Sequence, residues 1–346
     1  MINVFSLNGC SLFKGGGYTQ SHTERISLYE NVRFILIALV VVGHAIDLNT
    51  AQSKVYKSIF LWIYSFHMPL FLFLSGMFQK NENITAKVLG YICIGFLWKI
   101  IYFLERMLLF GNASFSLLSD GGVPWYMFAL AVYIVVSYGL KNINKRFLLA
   151  FTLMLGCFVG YDAAIGDFLY LSRVVVFYPF FLLGQMTNKM VLVKVTENKW
   201  IKRIAFMVLV IWGLMCLLGL EQVYFLRPLF TGRNPFSVNE VFSKWGFAYR
   251  ILCYIISIIA GFSAICIMPI RFIPGITLFG SRTIQVYFWH YFVIIILEKL
   301  EVNSLLMVSS AGRLLWMLCA VLLALILSLK PFAFPVGYIM KSCKGH

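Results

Sequence analysis

The chain has 346 residues, of which 61% are hydrophobic and only 12% charged, with a formal net charge of +16. A soluble domain carries about 25% charged residues, so the composition excludes a water-soluble globular protein. The positive excess does not indicate nucleic acid, because the basic residues sit between apolar runs and read as topology signals facing anionic lipid headgroups.

Residues 1–24 lack the apolar core and cleavage site of a signal peptide, and Lys14-Gly15-Gly16-Gly17 predicts a mobile tail. From residue 33 to about 330, apolar runs long enough to span a bilayer recur. They do not alternate apolar and polar residues, which excludes a transmembrane barrel. Ten spans are predicted, near 33–49, 57–78, 86–109, 124–140, 147–161, 173–189, 201–219, 247–268, 282–299 and 312–330. Lysines and arginines crowd three segments on one side of this arrangement. These are Lys141, Lys145 and Arg146; Lys189, Lys194, Lys199, Lys202 and Arg203; and Lys330, Lys341 and Lys344. By the positive-inside rule that side, with both termini, is cytoplasmic. Asp162, Asp167 and a longer segment at 220–246 fall on the other side. The segment's turn chemistry suits either a lid or acceptor-binding loop, or an ordinary connector.

In the first span Arg33-Phe34-Ile35-Leu36-Ile37-Ala38-Leu39-Val40-Val41-Val42-Gly43-His44 brackets ten apolar or small residues between two ionisable ones. Eleven helical steps return His44 to within roughly 20° of Arg33 and separate the two by about 16 Å along the axis. One helix face therefore carries a fixed positive charge near a membrane surface and an imidazole at depth. His67 and His290 also fall near the middle of predicted spans, whereas His22 and His346 lie near the ends of the chain. Three histidines at similar depth predict a shared polar cavity, since polar groups in lipid are retained mainly where they serve one. Imidazole also suits general-base work on a hydroxyl.

Pro69, two residues after His67, removes a helical hydrogen bond and clashes with the Ser65 carbonyl, so a kink is predicted around His67. Asp47 either orients His44 or marks the membrane interface. Trp125-Tyr126 opens the fourth predicted span, where interfacial aromatics are expected. Arg173 and Arg282 each begin a span and either bind an anion or anchor the helix. Lys99, Glu105 and Arg106 fall on or near the third span, where Glu105 is expected to pair with a neighbouring cation. Eight scattered cysteines without CxxC spacing oppose a disulfide framework or a thiolate zinc site, and no metal is expected. There is no phosphate-binding glycine loop, dinucleotide fingerprint or nucleophile elbow.

These residues resemble acyltransferase family 3, integral membrane enzymes that O-acylate sugars and glycans. The stretch from Arg33 to Val41-Val42-Gly43-His44 looks like the family's Arg-x10-His signature. Ser65-Phe66-His67-Met68-Pro69-Leu70-Phe71 through Leu74-Ser75-Gly76 looks like its second block. Leu171-Ser172-Arg173 through Phe177-Tyr178-Pro179-Phe180-Phe181-Leu182-Leu183-Gly184 is similar to a block of the subgroup resembling fucose 4-O-acetylases. Gly280-Ser281-Arg282 through Tyr287-Phe288-Trp289-His290 resembles the block of the penultimate helix, and Trp125-Tyr126-Met127-Phe128 is a looser match. Glu30-Asn31 departs from the Asp that many members carry before the arginine.

The resemblance implies a cytoplasmic acyl donor, usually acetyl-CoA, and an acceptor hydroxyl on a cell-surface polysaccharide such as O-antigen, or on its lipid-linked precursor. His44 would take the hydroxyl proton or form an acetyl-imidazole, and Arg33 would meet the phosphates of coenzyme A. His67, with Tyr64 or Ser65, would orient groups or stabilise the oxyanion. Trp125, Tyr126, Arg173, Arg282 and His290 would bind substrate. The expected architecture is an all-α, multi-pass protein of the bacterial inner membrane, with about ten helices around a central polar cavity. It divides into a tail at 1–30, an acyltransferase domain at 31–332 and a tail at 333–346. The rival class is a transporter or flippase of a lipid-linked glycan, and a second enzyme reading keeps the fold but changes the donor to succinyl or another acyl group.

Overall fold

Each of the ten predicted spans has a helix at its centre, and the described residues contain no strand. The computed structural model describes residues 17–119 and 122–343. In chain order the helices begin with α1 (Gly17–Asp47), α2 (Lys54–Tyr64), α3 (His67–Phe78), α4 (Ile84–Phe110) and α5 (Trp125–Gly139). They continue with α6 (Lys145–Phe158), α7 (Leu171–Met186), α8 (Lys189–Glu197), α9 (Lys199–Leu218) and the short α10 (Leu220–Val223) and α11 (Arg227–Phe230). The chain then forms α12 (Glu240–Ile267), α13 (Ile276–Gly280), α14 (Thr283–Lys299), α15 (Val302–Met307), α16 (Ser310–Leu327) and α17 (Val336–Ser342). Lys14, Gly15 and Gly16 of the expected tail, and His346, lie outside the described residues.

Among the described residues seven helical segments are long and apolar enough to cross a membrane. They are Ser27–Asp47, Lys54–Phe78, Ile84–Phe110, Phe168–Met186, Lys199–Leu218, Glu240–Ile267 and Ser310–Leu327. α5, α6 and α14 are shorter, at 15, 14 and 17 residues. The chain is thus an all-helical, multi-pass membrane protein.

Local chemistry sets several of the helix starts. Asn144, Asn188 and Asn198 each accept a backbone N–H two residues on, at 2.9 Å, and so cap α6, α8 and α9. The predicted kink at His67 is instead a full break: α2 ends at Tyr64, Phe66 leaves helical geometry, and His67 opens α3. Pro69 then occupies the first turn of a new helix, where its missing N–H costs nothing. The break frees the Ser65 carbonyl, which accepts from Ser257 Oγ at 2.5 Å.

Close crossings fix the bundle. A methyl group at Gly76 would lie 1.9 Å from the Phe181 carbonyl oxygen, and one at Gly184 would lie 2.0 Å from that of Phe73. Reciprocal glycines therefore let α3 and α7 meet backbone to backbone, as small residues do between helices in lipid. α13 docks on α1 in the same way, with Gly280 against the Glu30 carbonyl. Asn31 adds bonds to the Pro269 and Arg271 carbonyls at 2.9 and 3.0 Å and accepts from Thr277 at 2.6 Å. α1 is the most enclosed spanning segment, with 78% of its apolar window buried, against 22% for α9 and 28% for α16, which present apolar side chains outward to lipid. Helix α1 begins at Gly17 and Ser27–Tyr29 are buried in it, and Val336 and Met340 of α17 pack inside.

Candidate active site

The enclosed helix α1 carries the Arg33–His44 face, and two cavities open along it. Arg33 lines one of about 250 Å³, with Ser75, Phe78, Lys80, Lys87 and Tyr126. His44 lines the other, of about 530 Å³, with Tyr64, His67, Trp125, Arg173 and Arg227. Met68 and Tyr287 belong to the walls of both, so the cavities lie back to back. Trp125 and Tyr126, neighbours in sequence, serve one cavity each.

The first cavity has a cationic wall. Arg33 pairs with Glu30 at 2.6 Å, and its guanidinium lies 4.5 Å from the centre of the Phe78 ring. Lys189 approaches the same ring to 4.2 Å. Burial, and then the positive charges of Lys80 and Arg33, hold the Lys189 ammonium below the ordinary lysine pKa. Arg33, Lys80, Lys87 and Lys189 outnumber the two carboxylates, Glu30 and Glu82, which favours an anionic ligand. Tyr126 shares a 2.8 Å hydrogen bond with Ser75 deeper in the wall.

The second cavity is ringed by aromatic and ionic groups. His67 is buried, with Nδ1 2.8 Å from the Ile63 carbonyl. A carbonyl only accepts, so Nδ1 carries the proton and Nε2 of the neutral ring carries the lone pair. Tyr64 stacks on Phe60 at 3.7 Å and lies edge-on to His67 at 4.7 Å. Arg173 packs over Trp125 at 4.8 Å and donates to the Thr231 carbonyl at 3.3 Å.

Asp47 does not orient His44: its carboxylate pairs with Arg227 at 2.6 Å. Arg227 comes from the 220–246 segment, which also supplies Pro228, Phe230, Thr231, Arg233 and Asn234 to the cavity wall. Short helices build this segment and several ties hold it. Arg233 grips Asp167 with two nitrogens at 2.5–2.9 Å, Ser172 donates to Gly232 at 2.8 Å, and buried Arg250 donates to the Leu229 carbonyl. The segment covers the second cavity and is tied to α7 and α12.

Three residues expected at the site stand elsewhere. Ser65 lines neither cavity; its hydroxyl donates to the Trp62 carbonyl at 2.7 Å and accepts from Trp212 Nε1 at 2.9 Å, tying α2 to α9. Arg282 lines neither and donates to the Ser328 carbonyl at 3.0 Å beyond α16. His290 is wholly buried behind the cavity wall, with its ring centre 5.2 Å from that of His44. Glu105 is not paired as expected; both its carboxyl oxygens are buried without a hydrogen-bond partner among the described residues, while Arg106 donates to Tyr291 at 3.3 Å. Conversely Lys80, Lys87, Tyr287 and Tyr291 line the cavities without having been singled out. The four-residue step from Tyr287 to Tyr291 on one helix face was the available signal for the last two.

The blocks scattered along the sequence meet in space. Gly76 of the second docks on the third through Phe181, Gly280 of the fourth docks on the first at Glu30, and His44 faces His290. Among the described residues no group of three or more His, Cys, Asp or Glu side chains is arranged to hold a metal ion. No curated protein and no solved structure matches the chain significantly. The family model described as an acyltransferase domain matches residues 28–330, from within α1 to just past α16, and the chain belongs to acyltransferase family 3.

Proposed function

We propose that the protein moves an acetyl group from acetyl-CoA, bound from the cytoplasm, to a hydroxyl of a cell-surface polysaccharide sugar or of its lipid-linked precursor, in the bacterial inner membrane. The observation that carries this reading is the pair of cavities on one helix, a cationic one at Arg33 and a histidine-lined one at His44, sharing Met68 and Tyr287 as walls. Arg33, Lys80 and Lys87 in the wall, with Lys189 beside the Phe78 ring, suit the phosphates of the donor, and the about 16 Å rise from Arg33 to His44 suits its extended arm. The lysine-rich loops support a cytoplasmic mouth for the first cavity. The aromatic walls of the second, with Trp125 under Arg173, suit a sugar ring.

In this reading His44 takes the proton of the acceptor hydroxyl as its oxygen attacks the thioester carbon. The carbon–sulfur bond then breaks, and the leaving thiolate takes the proton from His44. With its Nδ1–H committed to Ile63, neutral His67 has only an acceptor to offer, so it orients a substrate hydroxyl and does not stabilise the oxyanion. The donors left for the oxyanion are the Tyr64 hydroxyl and the Arg173 guanidinium, both in the cavity wall.

The test is transfer of radiolabelled acetyl from acetyl-CoA to the host glycan, using membranes that contain the wild type or His44→Ala. Label in the glycan with wild type, reduced at least about 100-fold by His44→Ala at equal protein level, supports the reading. Equal label in both removes His44 as the base, and label in neither removes acetyl-CoA as the donor to that glycan.

A further inference from the structure

His290 lines neither cavity and has no exposed surface, so it does not touch a substrate in either of them. Its Nδ1 donates to the Val286 carbonyl, one turn back in α14, at 2.9 Å. That bond pins the ring and fixes the proton on Nδ1, leaving the lone pair on Nε2. Nε2 is buried and has no hydrogen-bond partner among the described residues. A fully enclosed, unsatisfied acceptor is rare in a folded protein and calls for a reason.

The ring in front of it is that of His44, at 5.2 Å between centres and tilted by 42°. Two other rings are within reach. Tyr287, 6.2 Å away, donates its hydroxyl proton to the Val123 carbonyl. Tyr291, 6.4 Å away, is the next residue along the same helix, and adjacent helical residues do not face each other. His44 is therefore the neighbour with an N–H to give.

We propose that His290 is a positioning residue for His44: its carbonyl-pinned Nε2 accepts the N–H of the His44 ring, which leaves the other His44 nitrogen unprotonated and directed at the cavity. The inference rests on the proposed role of His44 as the base. A turn of the His44 ring about its Cβ–Cγ bond closes the contact, with or without substrate in the cavity. During transfer the hydroxyl proton goes to the cavity-side nitrogen of His44 and on to the departing thiolate, while the bond to His290 holds the imidazolium in place. His67 is pinned in the same manner but stands in the cavity wall, so its Nε2 meets substrate instead of another residue.

The test compares His290→Leu, His290→Gln and His290→Asn in the purified full-length protein. The first readout is the rate at which diethyl pyrocarbonate carbethoxylates His44, followed by mass spectrometry; it needs neither donor nor acceptor. The Gln amide oxygen reaches the place of Nε2, and the Asn amide stops short of it. The expected result is a rate at least about tenfold below wild type in Leu and Asn, and within about threefold of it in Gln. Thermal unfolding of the three variants checks that each folds as the wild type does. In radiolabelled acetyl transfer, kcat should fall about 100-fold in Leu and Asn with KM unchanged. Carbethoxylation of His44 at the wild-type rate in Leu and Asn, or no reaction in the wild type itself, overturns the proposal. If Leu melts early, the Gln and Asn pair decides, since equal rates in those two overturn it as well. Rates that separate as expected in a protein that transfers no acetyl leave the positioning role standing and remove the proposed reaction.

Discussion

Arg33 and Lys189 share the ring of Phe78 at 4.5 and 4.2 Å, with one carboxylate, Glu30, paired to Arg33. Lys189 is the member that can be removed without stranding a partner charge. Lys189→Ala should raise KM for acetyl-CoA about fivefold and leave kcat unchanged, as befits about 1 kcal/mol from a partly exposed cation. The effect should shrink at high salt. The lysine binds anions while protonated, and burial with two neighbouring cations lowers its pKa. In the wild type KM should therefore climb on the alkaline side at a lower pH than an ordinary lysine dictates, and in Lys189→Ala the climb should start at higher pH; initial rates against pH check both. At this scale the sequence was legible where a residue type is rare in its surroundings. Arg33, His44 and His67 stand out in apolar runs and do line the cavities. Ser65 and Arg282 were indistinguishable from site residues by type, because only packing decides whether a hydroxyl or guanidinium meets a cavity or another helix.

Crossing helices depend on what lies between them. α3 and α7 approach so closely at Gly76 and Gly184 that a methyl group at either would overlap the opposite backbone. Gly76→Ala should force them apart and destabilise the protein by about 3 kcal/mol or more, the upper end of overpacking costs. Thermal unfolding in detergent measures it, and activity should fall in parallel because α3 begins with His67 and carries Met68. Ser257→Ala probes the neighbouring break between α2 and α3. Leaving the Ser65 carbonyl without its partner should cost about 1–3 kcal/mol, with a smaller loss of activity. Pro69 announced a distortion in the sequence, but not that the freed Ser65 carbonyl finds its partner in Ser257, 192 positions beyond Ser65.

Across the whole molecule, the two cavities meet at Met68 and Tyr287 while their mouths are built from different loops. Exposed Glu82 stands at the wall of the first and exposed Val238 at that of the second. If donor and acceptor arrive from opposite sides, Glu82→Cys should react with a membrane-impermeant maleimide only from the cytoplasmic side, and Val238→Cys only from the outside. Labelling in intact cells and in inverted vesicles, with the wild type as background, reads this directly. Reaction of both from one side would place both mouths on the same face and remove the cross-membrane arrangement. The 220–246 cover belongs to this scale too. Its composition allowed a loose lid, and in the structure it is tied to Asp47, Asp167 and Ser172.

The sequence by itself determined that this is a helical membrane protein, where its helices are centred, and that Arg33 and His44 share a helix face. Composition, run length and the 100° helical step are local properties, so no partner is needed to read them. The same locality identified the ordered blocks that mark the family. Tertiary structure decided the rest: which of ten helices are long enough to cross, that Asp47 serves Arg227, that the carboxyl oxygens of Glu105 have no hydrogen-bond partner among the described residues, and that His290 sits behind His44 rather than in the cavity. Each of these depends on side chains brought together from distant segments, by glycine crossings and backbone carbonyls whose partners the order of residues does not name.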